Sequence, residues 1–264
     1  AERGWRMTAG IEIDRMREVR KGFRNEGGVQ GDLRRDQRDT VSNRDAFAQL
    51  AIDVVTDWTV TAGARASRVS FRSADRFLGN GDDSGSAEYD ALNPVLGIAW
   101  RTTPALNLYA NFGRGFETPT FSELAYRSVD SGSGLNTELN ASRSRHAEVG
   151  MKWKLSPTQR LDVALFDIRT SDEIVVADSR GGRSSYKNVG RTTRRGVEFS
   201  HTAKLGESVQ STVSLSAMRV RFADPFVSGS GASAVTVPAG NRIPGTPVRT
   251  LFAELAWAPK NPWS

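Results

Sequence analysis

The sequence predicts an all-β chain that folds as an antiparallel transmembrane β-barrel. Three observations support this prediction. Several segments alternate apolar and polar residues, the connections between them alternate between short and long, and the tryptophans lie beside the short connections. Alternation with a period of two is typical of strands that have one apolar face, and no segment shows the helical period.

The alternating segments predict about ten strands. These segments begin near Trp5, Ala46, Trp58, Leu92, Leu106, Ala147, Leu161, Gly196, Val209 and Leu251. The sixth is the clearest, because every second residue from Ala147 to Leu155 is apolar and the residues between them are polar or glycine. The seventh is less regular, and we predict that it continues through Ile174–Val176.

The connections between the strands divide into two classes. Short connections are predicted at 56–57, 103–105, 156–159, 206–207 and 259–262, and long ones at 24–44, 77–90, 117–142, 178–184 and 223–246. Strict alternation of the two classes places all short turns at one end of the sheet and all long loops at the other. Short periplasmic turns and long extracellular loops are typical of outer-membrane barrels, whereas a soluble sandwich does not separate its loops in this way.

The tryptophans support the same topology. All six lie beside a short connection or at the short-connection end of a strand, namely Trp5, Trp58, Trp100, Trp153, Trp257 and Trp263. Indole rings at one level are typical of a membrane–water interface, where the ring lies among headgroups and its N–H stays hydrated. A soluble core would spread these residues along the strands. We therefore predict a girdle at the membrane interface.

This topology predicts which environment each face of the sheet meets. We expect the apolar row to face lipid and the other row to face a polar lumen, so that His146 is luminal and His201 points outward. Charged residues continue the alternation in Arg15–Arg20 and Arg65–Arg72. A tilted strand crosses a bilayer with roughly 9–11 residues. These segments are therefore expected to project outside the membrane.

Composition excludes several classes of protein and site. The 264 residues are 38% hydrophobic with a mean hydropathy of -0.44, and no apolar run is long enough for a transmembrane helix. Without cysteine, the chain has no disulfide or thiolate site. The net charge of +6 comes without a nucleic-acid-binding motif, so we expect no nucleic acid partner. We predict no catalytic residue, metal site or cofactor. Because alternation is already present at Trp5 and no signal peptide precedes it, we expect a fragment.

Four segments, taken in order, resemble the barrel of TonB-dependent outer-membrane receptors. They are Phe112–Tyr126, His146–Leu155, Tyr186–Ser200 and Gly240–Pro247. The resemblance implies the C-terminal half of a barrel of about 22 strands with a plugged lumen. Residues 1–264 would be one partial barrel domain that lacks the plug domain, the terminal strands and a TonB box.

The resemblance also implies a function and its partners. The chain would belong to a receptor in the outer membrane of a Gram-negative bacterium, which binds a scarce nutrient such as a ferric siderophore and imports this iron chelate with energy from TonB. TonB would act through the missing N-terminal region, and outer-membrane lipid and lipopolysaccharide would surround the barrel. The chain would not be an enzyme. The alternatives are a barrel hydrolase, such as a protease or phospholipase, and a passive porin or autotransporter barrel.

By resemblance, the segment after the fifth strand leads into an extracellular loop that borders the ligand vestibule. The expected ligand-binding residues are Arg114, Phe116, Glu117, Tyr126 and Arg127. Alternation ends near Gly113–Gly115, where glycine is expected to allow a bulge or a close approach of a neighbour. A hydrolase would need a nucleophile beside His146, which lies near Glu148, but no nucleophile motif is visible.

Arginines outside this segment leave three interpretations open. Those on or near the long loops could meet lipopolysaccharide phosphates, line a vestibule for an anionic ferric chelate, or form a solvated strand surface. They are Arg34, Arg35, Arg38, Arg44, Arg68, Arg72, Arg76, Arg194, Arg195, Arg219 and Arg221.

Overall fold

A computed structural model describes residues 4–125, 134–180 and 183–259. Ten strands form one sheet in which all neighbours are antiparallel, in the order β1-β2-β3-β4-β5-β6-β7-β10-β11-β14. They are β1 Trp5–Glu26, β2 Val29–Val55, β3 Trp58–Asp75, β4 Gly85–Thr103, β5 Leu106–Glu117, β6 Ser142–Ser156, β7 Gln159–Ser171, β10 Thr192–Leu205, β11 Val209–Phe222 and β14 Arg249–Trp257. The predicted all-β fold with about ten barrel strands is confirmed.

Small elements occupy three of the long connections. The four-residue helix α1, Phe121–Leu124, lies between β5 and β6. Two hairpins lie farther along the chain: β8 Glu173–Arg180 with β9 Arg183–Val189, and β12 Phe226–Ser228 with β13 Val235–Val237. A 3-10 turn spans Gly231–Ser233. In the described residues, no helix is long and apolar enough to cross a membrane.

The strand register places the predicted apolar rows on one continuous face. For example, Leu50, Ala62, Leu96, Phe112 and Ala147 are direct cross-strand partners along one line from β2 to β6. Because successive side chains of a strand point to opposite faces, this register places the apolar residues of all these strands on the same face of the sheet. We call this outward surface the apolar belt, and we call the opposite face the lumen face.

Four of the five predicted short connections are present, and the fifth, at 259–262, lies almost wholly outside the described residues. One long connection differs from the prediction. Turns at 56–57, 104–105, 157–158 and 206–208 all lie at the same end of the sheet. The predicted loop at 24–44 is wrong, because β1 and β2 continue as a charged ribbon to a turn at Gly27 and Gly28. Both glycines have positive φ, as a tight two-residue hairpin turn requires.

The predicted continuation of the seventh strand is also wrong. β7 ends at Ser171, Asp172 has a φ of 57°, and β8 turns away to pair with β9 instead of β10. Positive φ at a non-glycine residue interrupts the extended backbone, and aspartate tolerates it better than most residues. The connection from β7 to β10 is therefore a hairpin of its own at the long-loop end.

Three glycines of the lumen face stand directly opposite aromatic residues. The pairs are Gly10 with Phe47, Gly150 with Tyr109, and Gly196 with Phe166. A methyl group at Gly150 would lie 2.5 Å from the Tyr109 hydroxyl, and one at Gly196 would lie 2.6 Å from the Phe166 ring. Glycine is required there because the facing ring occupies the space of a side chain.

Candidate ligand vestibule

The connection between β5 and β6 packs onto the lumen face at the long-loop end of the sheet. Its helix α1 contributes Phe121 and Leu124 to a buried cluster with Phe71 of β3. The Phe71 ring meets the rings of Phe121 and Tyr89 edge to face, at centroid distances of 5.2 and 5.9 Å. Leu135 and Leu139 complete the cluster. This loop is therefore anchored to the barrel wall by apolar contacts.

Local sequence explains why α1 begins where it does. Thr120 is the N-cap, and its hydroxyl accepts a hydrogen bond from the Glu123 N–H at 3.3 Å. The Glu123 carboxylate accepts the Thr120 N–H in return, at 2.7 Å. This capping box satisfies two backbone donors at the start of the helix. Beyond its end, the Asn136 N–H donates to the Leu124 carbonyl at 2.7 Å.

A buried tyrosine ties the same loop to β4. The Tyr89 hydroxyl donates to the Leu139 carbonyl at 2.9 Å. Tyr89 lies on the long-loop side of the apolar belt, and burial raises the pKa of its hydroxyl to about 12. Burial disfavours the phenolate because the charged form loses solvation. Tyr89 therefore remains a neutral hydrogen-bond donor at every physiological pH.

Two asparagines join the β5–β6 loop to the β8–β9 hairpin. The Asn188 carboxamide accepts the Asn140 N–H at 2.7 Å and donates to the carbonyls of Asn140 at 2.9 Å and Asp172 at 2.7 Å. The Asn136 carboxamide donates to the Tyr186 carbonyl at 3.0 Å. These bonds give both loops a defined relative position, so the lumen face ends in an ordered polar surface.

A charged network lies beside this surface. Arg194 of β10 donates to Glu173 at 2.7 Å and to the Thr170 hydroxyl at 3.0 Å. The Thr192 hydroxyl, in a fully buried residue, donates to the other Glu173 oxygen at 2.7 Å. Because the guanidinium has partners on both β7 and β8, it holds the base of the β8–β9 hairpin against the sheet.

Carboxylates line the lumen face of β1, β2 and β3. Arg65 bridges Asp45 and Glu12, and the buried Asp39 accepts a hydrogen bond from the Ser73 hydroxyl at 2.6 Å. Within the described residues, one carboxylate oxygen of Asp39 and one of Asp45 are buried without a hydrogen-bond partner. This part of the lumen wall is therefore rich in carboxylates that are paired with arginines, since the Asp39 oxygen without a hydrogen bond lies 3.7 Å from Arg20.

The histidines lie on opposite faces, as the alternation predicts. His146 is on the lumen face of β6, where its Nε2 is 2.7 Å from the Ser144 hydroxyl. His201 belongs to the apolar row, opposite Leu161 of β7. Gly115 leaves room for the Ser144–His146 pair, since a methyl group there would lie 3.1 Å from the Ser144 oxygen. The expected close approach is present, but β5 has no bulge and pairs in register with β6 as far as Glu117.

Comparison with known protein families identifies this fold. The family model described as TonB dependent receptor-like, beta-barrel matches residues 4–264. The chain belongs to this family. Members of the TonB-dependent receptor family are outer-membrane transport receptors and not enzymes, which confirms the resemblance inferred from the sequence and the prediction of a non-enzymatic chain.

Solved TonB-dependent receptors and related transporters share the fold. The ferric yersiniabactin uptake receptor FyuA from Yersinia pestis is 18% identical over 95% of this chain and 36% of its own length, with a TM-score of 0.71. The ferric citrate transporter FecA is 18% identical over 97% of this chain and 37% of its own, with a TM-score of 0.68. The copper transporter OprC is 14% identical over 82% and 35%, with a TM-score of 0.62. The chain thus spans about a third of each.

Within this receptor barrel, the expected ligand-binding residues divide between the two faces. Arg114 and Phe116 lie on the same face of β5 as the apolar row, and Arg114 is exposed opposite Arg145 of β6. Glu117 lies on the lumen face at the end of β5. Tyr126 and Arg127 lie outside the described residues. Ligand contact by these residues stays a prediction.

The tryptophans lie where the sequence places them. Trp5 begins β1, Trp257 ends β14, and Trp153 lies near the end of β6, all at the short-turn end. Trp58 and Trp100 are cross-strand partners whose rings stack with centroids 5.1 Å apart and an interplanar angle of 8°. Trp263 lies outside the described residues.

Sequence reasoning missed the residues that shape the vestibule. The hydrogen bonds that join these segments form only after the loops fold inward, and the spacing of the residues in the chain does not indicate them. The residues are Tyr89, Asn136, Tyr186 and Asn188. The signal that was available is Thr120-x-x-Glu123, a capping box ahead of an apolar residue. It would have shown that the loop contains a helix start.

Proposed function

We propose that this chain forms part of an outer-membrane receptor of a Gram-negative bacterium that binds a ferric siderophore and imports it with energy from TonB. The observation that supports the proposal best is the ordered loop surface at the long-loop end of the lumen face. A surface of backbone, amide and guanidinium groups beside Arg194 and Glu173 suits a polar, anionic chelate. Iron is the cargo in this proposal, held by its chelator.

The remaining parts of the transport cycle belong to the same proposal. Residues 1–264 act as a partial barrel domain, and TonB acts through a region of the receptor outside this chain. Of the expected ligand-binding residues, Glu117, Tyr126 and Arg127 belong to this proposal. Ligand contact by Arg114 and Phe116, which lie on the face of the apolar row, stays a prediction. The proposal also includes a girdle at the periplasmic membrane interface, formed by the indoles of Trp5, Trp58, Trp100, Trp153 and Trp257, and the predicted sixth member, Trp263, lies outside the described residues. FyuA and FecA are named for ferric cargo, which supports an iron chelate as the ligand.

Uptake by cells that produce the whole receptor tests the proposal. Cells with and without the receptor, and with and without TonB, are given a panel of radiolabelled ferric chelates. We expect uptake of at least one chelate that requires both proteins. If uptake persists without TonB, active transport is wrong. If none is taken up while copper or cobalamin is, the siderophore assignment is wrong and TonB-dependent transport stands.

Matched arginine variants test whether the vestibule binds the ligand. Arg194→Gln removes the guanidinium at the long-loop end, whereas Arg160→Gln removes one from the lumen face at the short-turn end, where Arg160 pairs with Asp162 at 3.0 Å. We expect Arg194→Gln to weaken chelate binding about tenfold or more, because it loosens the base of the β8–β9 hairpin and leaves the Glu173 carboxylate without its cation beside an anionic ligand. Arg160→Gln should bind normally. Equal affinities of both variants would contradict this placement of the site.

A further inference from the structure

Two glycines of β5 leave an opening in the lumen face beside the vestibule. Gly113 lies directly opposite His146 of β6, and Gly115 lies directly opposite Ser144. A methyl group at Gly115 would lie 3.1 Å from the Ser144 oxygen and 3.3 Å from the His146 Nε2, so a larger side chain there would cover the pair. A methyl group at Gly113 would lie 3.6 Å from its nearest neighbour. We call this opening, with Gly113, Gly115, Ser144 and His146, the glycine notch.

The imidazole of His146 keeps one ring nitrogen for a ligand. Its Nε2 lies 2.7 Å from the Ser144 hydroxyl, which is also 3.3 Å from the Gly115 carbonyl. Among the described residues, the other ring nitrogen, Nδ1, has no hydrogen-bond partner, and the side chain is exposed. Ser144 therefore holds the orientation of the ring and leaves Nδ1 available to a group that enters the notch.

The notch and the Arg194 network belong to one surface. His146 lies directly opposite Ile168 of β7, and Ile168 lies directly opposite Arg194 of β10. Two strand spacings separate the backbones of His146 and Arg194 by about 10 Å. In the next row toward the long loops, Ser144 lies opposite Thr170, whose hydroxyl accepts a hydrogen bond from Arg194 at 3.0 Å. A ligand held at the Arg194 side of the vestibule therefore lies within reach of the notch.

His146 is the group beside the notch whose charge can change. Histidine is the side chain that ordinarily gains its charge between about pH 8 and pH 5. The residues directly opposite it on β5 and β7 are uncharged. Arg194 and Glu173 neutralise each other through an ion pair of 2.7 Å. Proton uptake by His146 therefore places a new positive charge at the notch. The nearest other ionisable groups are Tyr109 and Glu117 of β5, Glu148 of β6, Glu173 of β8 and Arg194 of β10.

We propose that the glycine notch is a subsite for an anionic oxygen group of the transported chelate, and that protonated His146 strengthens this contact. The Nδ1–H of the charged ring donates a charge-assisted hydrogen bond to the oxygen, while Ser144 holds the ring. Gly113 and Gly115 leave room for the group beside the backbone of β5. Binding is therefore tighter in mildly acidic medium than in neutral medium. The inference rests on the proposed function, because it names a subsite for the same cargo.

Chelate binding to the whole receptor in mild detergent, at about pH 5.5 and about pH 7.5, tests the proposal across the range in which histidine titrates. The probes are ferric citrate, ferric yersiniabactin, a ferric tris-catecholate and an uncharged ferric tris-hydroxamate, and quenching of tryptophan fluorescence measures their affinities. We expect an anionic probe to bind about tenfold more tightly at the lower pH, because a charge-assisted hydrogen bond is stronger than a neutral one. Comparison of wild type and variant with the same probe cancels any titration of the probe itself.

Three variants separate the charge of His146 from other effects of pH. His146→Gln should bind the probe with the wild-type affinity at the higher pH and should lose the gain at the lower pH. His146→Lys carries a permanent charge, so it should bind at both pH values as tightly as the wild type does at the lower one. His201→Gln is the matched control, because His201 lies on the outward face opposite Leu161, and it should keep the wild-type pH dependence.

The outcomes distinguish this proposal from the proposed function. If none of the probes binds at either pH, both are overturned. If an anionic probe binds but wild type and His146→Gln respond equally to pH, the subsite alone is overturned. Binding of only the uncharged probe, or an equal loss of pH dependence in His201→Gln, overturns the subsite as well. Heat-modifiable gel migration reports folding, and His146→Lys decides alone if His146→Gln does not fold.

Discussion

Leu124→Ala tests whether the β5–β6 loop is held in the lumen by its apolar cluster. Leu124 is fully buried and contacts a cluster whose other members include Phe71 of the sheet. A buried Leu→Ala change costs about 2–5 kcal/mol, because the removed atoms lose their contacts and leave a cavity. Phe71 is held by its strand and cannot follow the shortened side chain, so we take a value of about 3 kcal/mol. Since 1.4 kcal/mol is tenfold in an equilibrium constant, the loop should open about a hundredfold more often.

Hydrogen exchange of the whole receptor in detergent micelles measures this opening. Two amides report on it: the Asn136 N–H, bonded to the Leu124 carbonyl, and the Asn140 N–H, bonded to the Asn188 side chain, each at 2.7 Å. Both should exchange about a hundredfold faster in Leu124→Ala, since local opening controls the exchange of amides in such a segment. Amides in the ladder between β5 and β6 should keep their wild-type rates.

Leu78→Ala is the matched control, because Leu78 lies in another long-end connection and is 64% exposed. This variant should leave exchange at Asn136 and Asn140 unchanged. Unchanged exchange in Leu124→Ala would refute the conclusion that apolar packing anchors the loop. Faster exchange along the whole β5–β6 ladder would refute it as well, because the substitution would then have loosened the sheet and not the loop.

Two further predictions concern the sheet and an outer loop. Gly150→Ala should lower the free energy of unfolding by about 1–3 kcal/mol in urea titrations, since its methyl group would lie 2.6 Å from a backbone carbonyl of β7. Gly10→Ala meets only a movable ring and should cost less; equal losses would contradict this reasoning. Hydrogen bonds from Arg191 lower the pKa of Asp224 from 3.8 to about 2. Any stability gained from this pair is therefore complete above pH 3.8 and lost as the pH falls through about 2. Arg191→Gln should return the pKa toward 3.8 in a carboxyl NMR titration, and an unchanged value would be evidence against the pairing.

The membrane-spanning parts of the fold were predictable because their signal is local. In β6, the alternation from Ala147 to Leu155 requires only that one face meet lipid and the other water, so two environments determine the residue types directly. The same rule predicted that His201 points outward and that Trp58 and Trp100 lie at the same level of the sheet. Outside the bilayer, both faces of a strand meet water, so this alternation no longer predicts the structure.

Outside the bilayer, sequence reasoning failed for identifiable reasons. The residues from 24 to 44 are charged on both faces, which suggested a loop, but a ribbon in water needs no apolar face to pair its backbone. Adjacent Gly27 and Gly28 were the available hairpin signal. At Asp172, one residue with positive φ ended a strand whose apolar content continued, and the composition of Ile174–Val176 did not reveal the break.

By itself, the sequence determined the strand number, the two faces, the level of the tryptophans and the receptor family. These depend on period-two alternation and turn length, which involve residues near each other in the chain. Only the tertiary structure decided that α1 docks in the lumen, that Asn188 joins two loops, and that Ser144 and His146 lie beside Gly115. Those contacts join residues dozens of positions apart, and they exist only because strand register and loop folding bring the residues together.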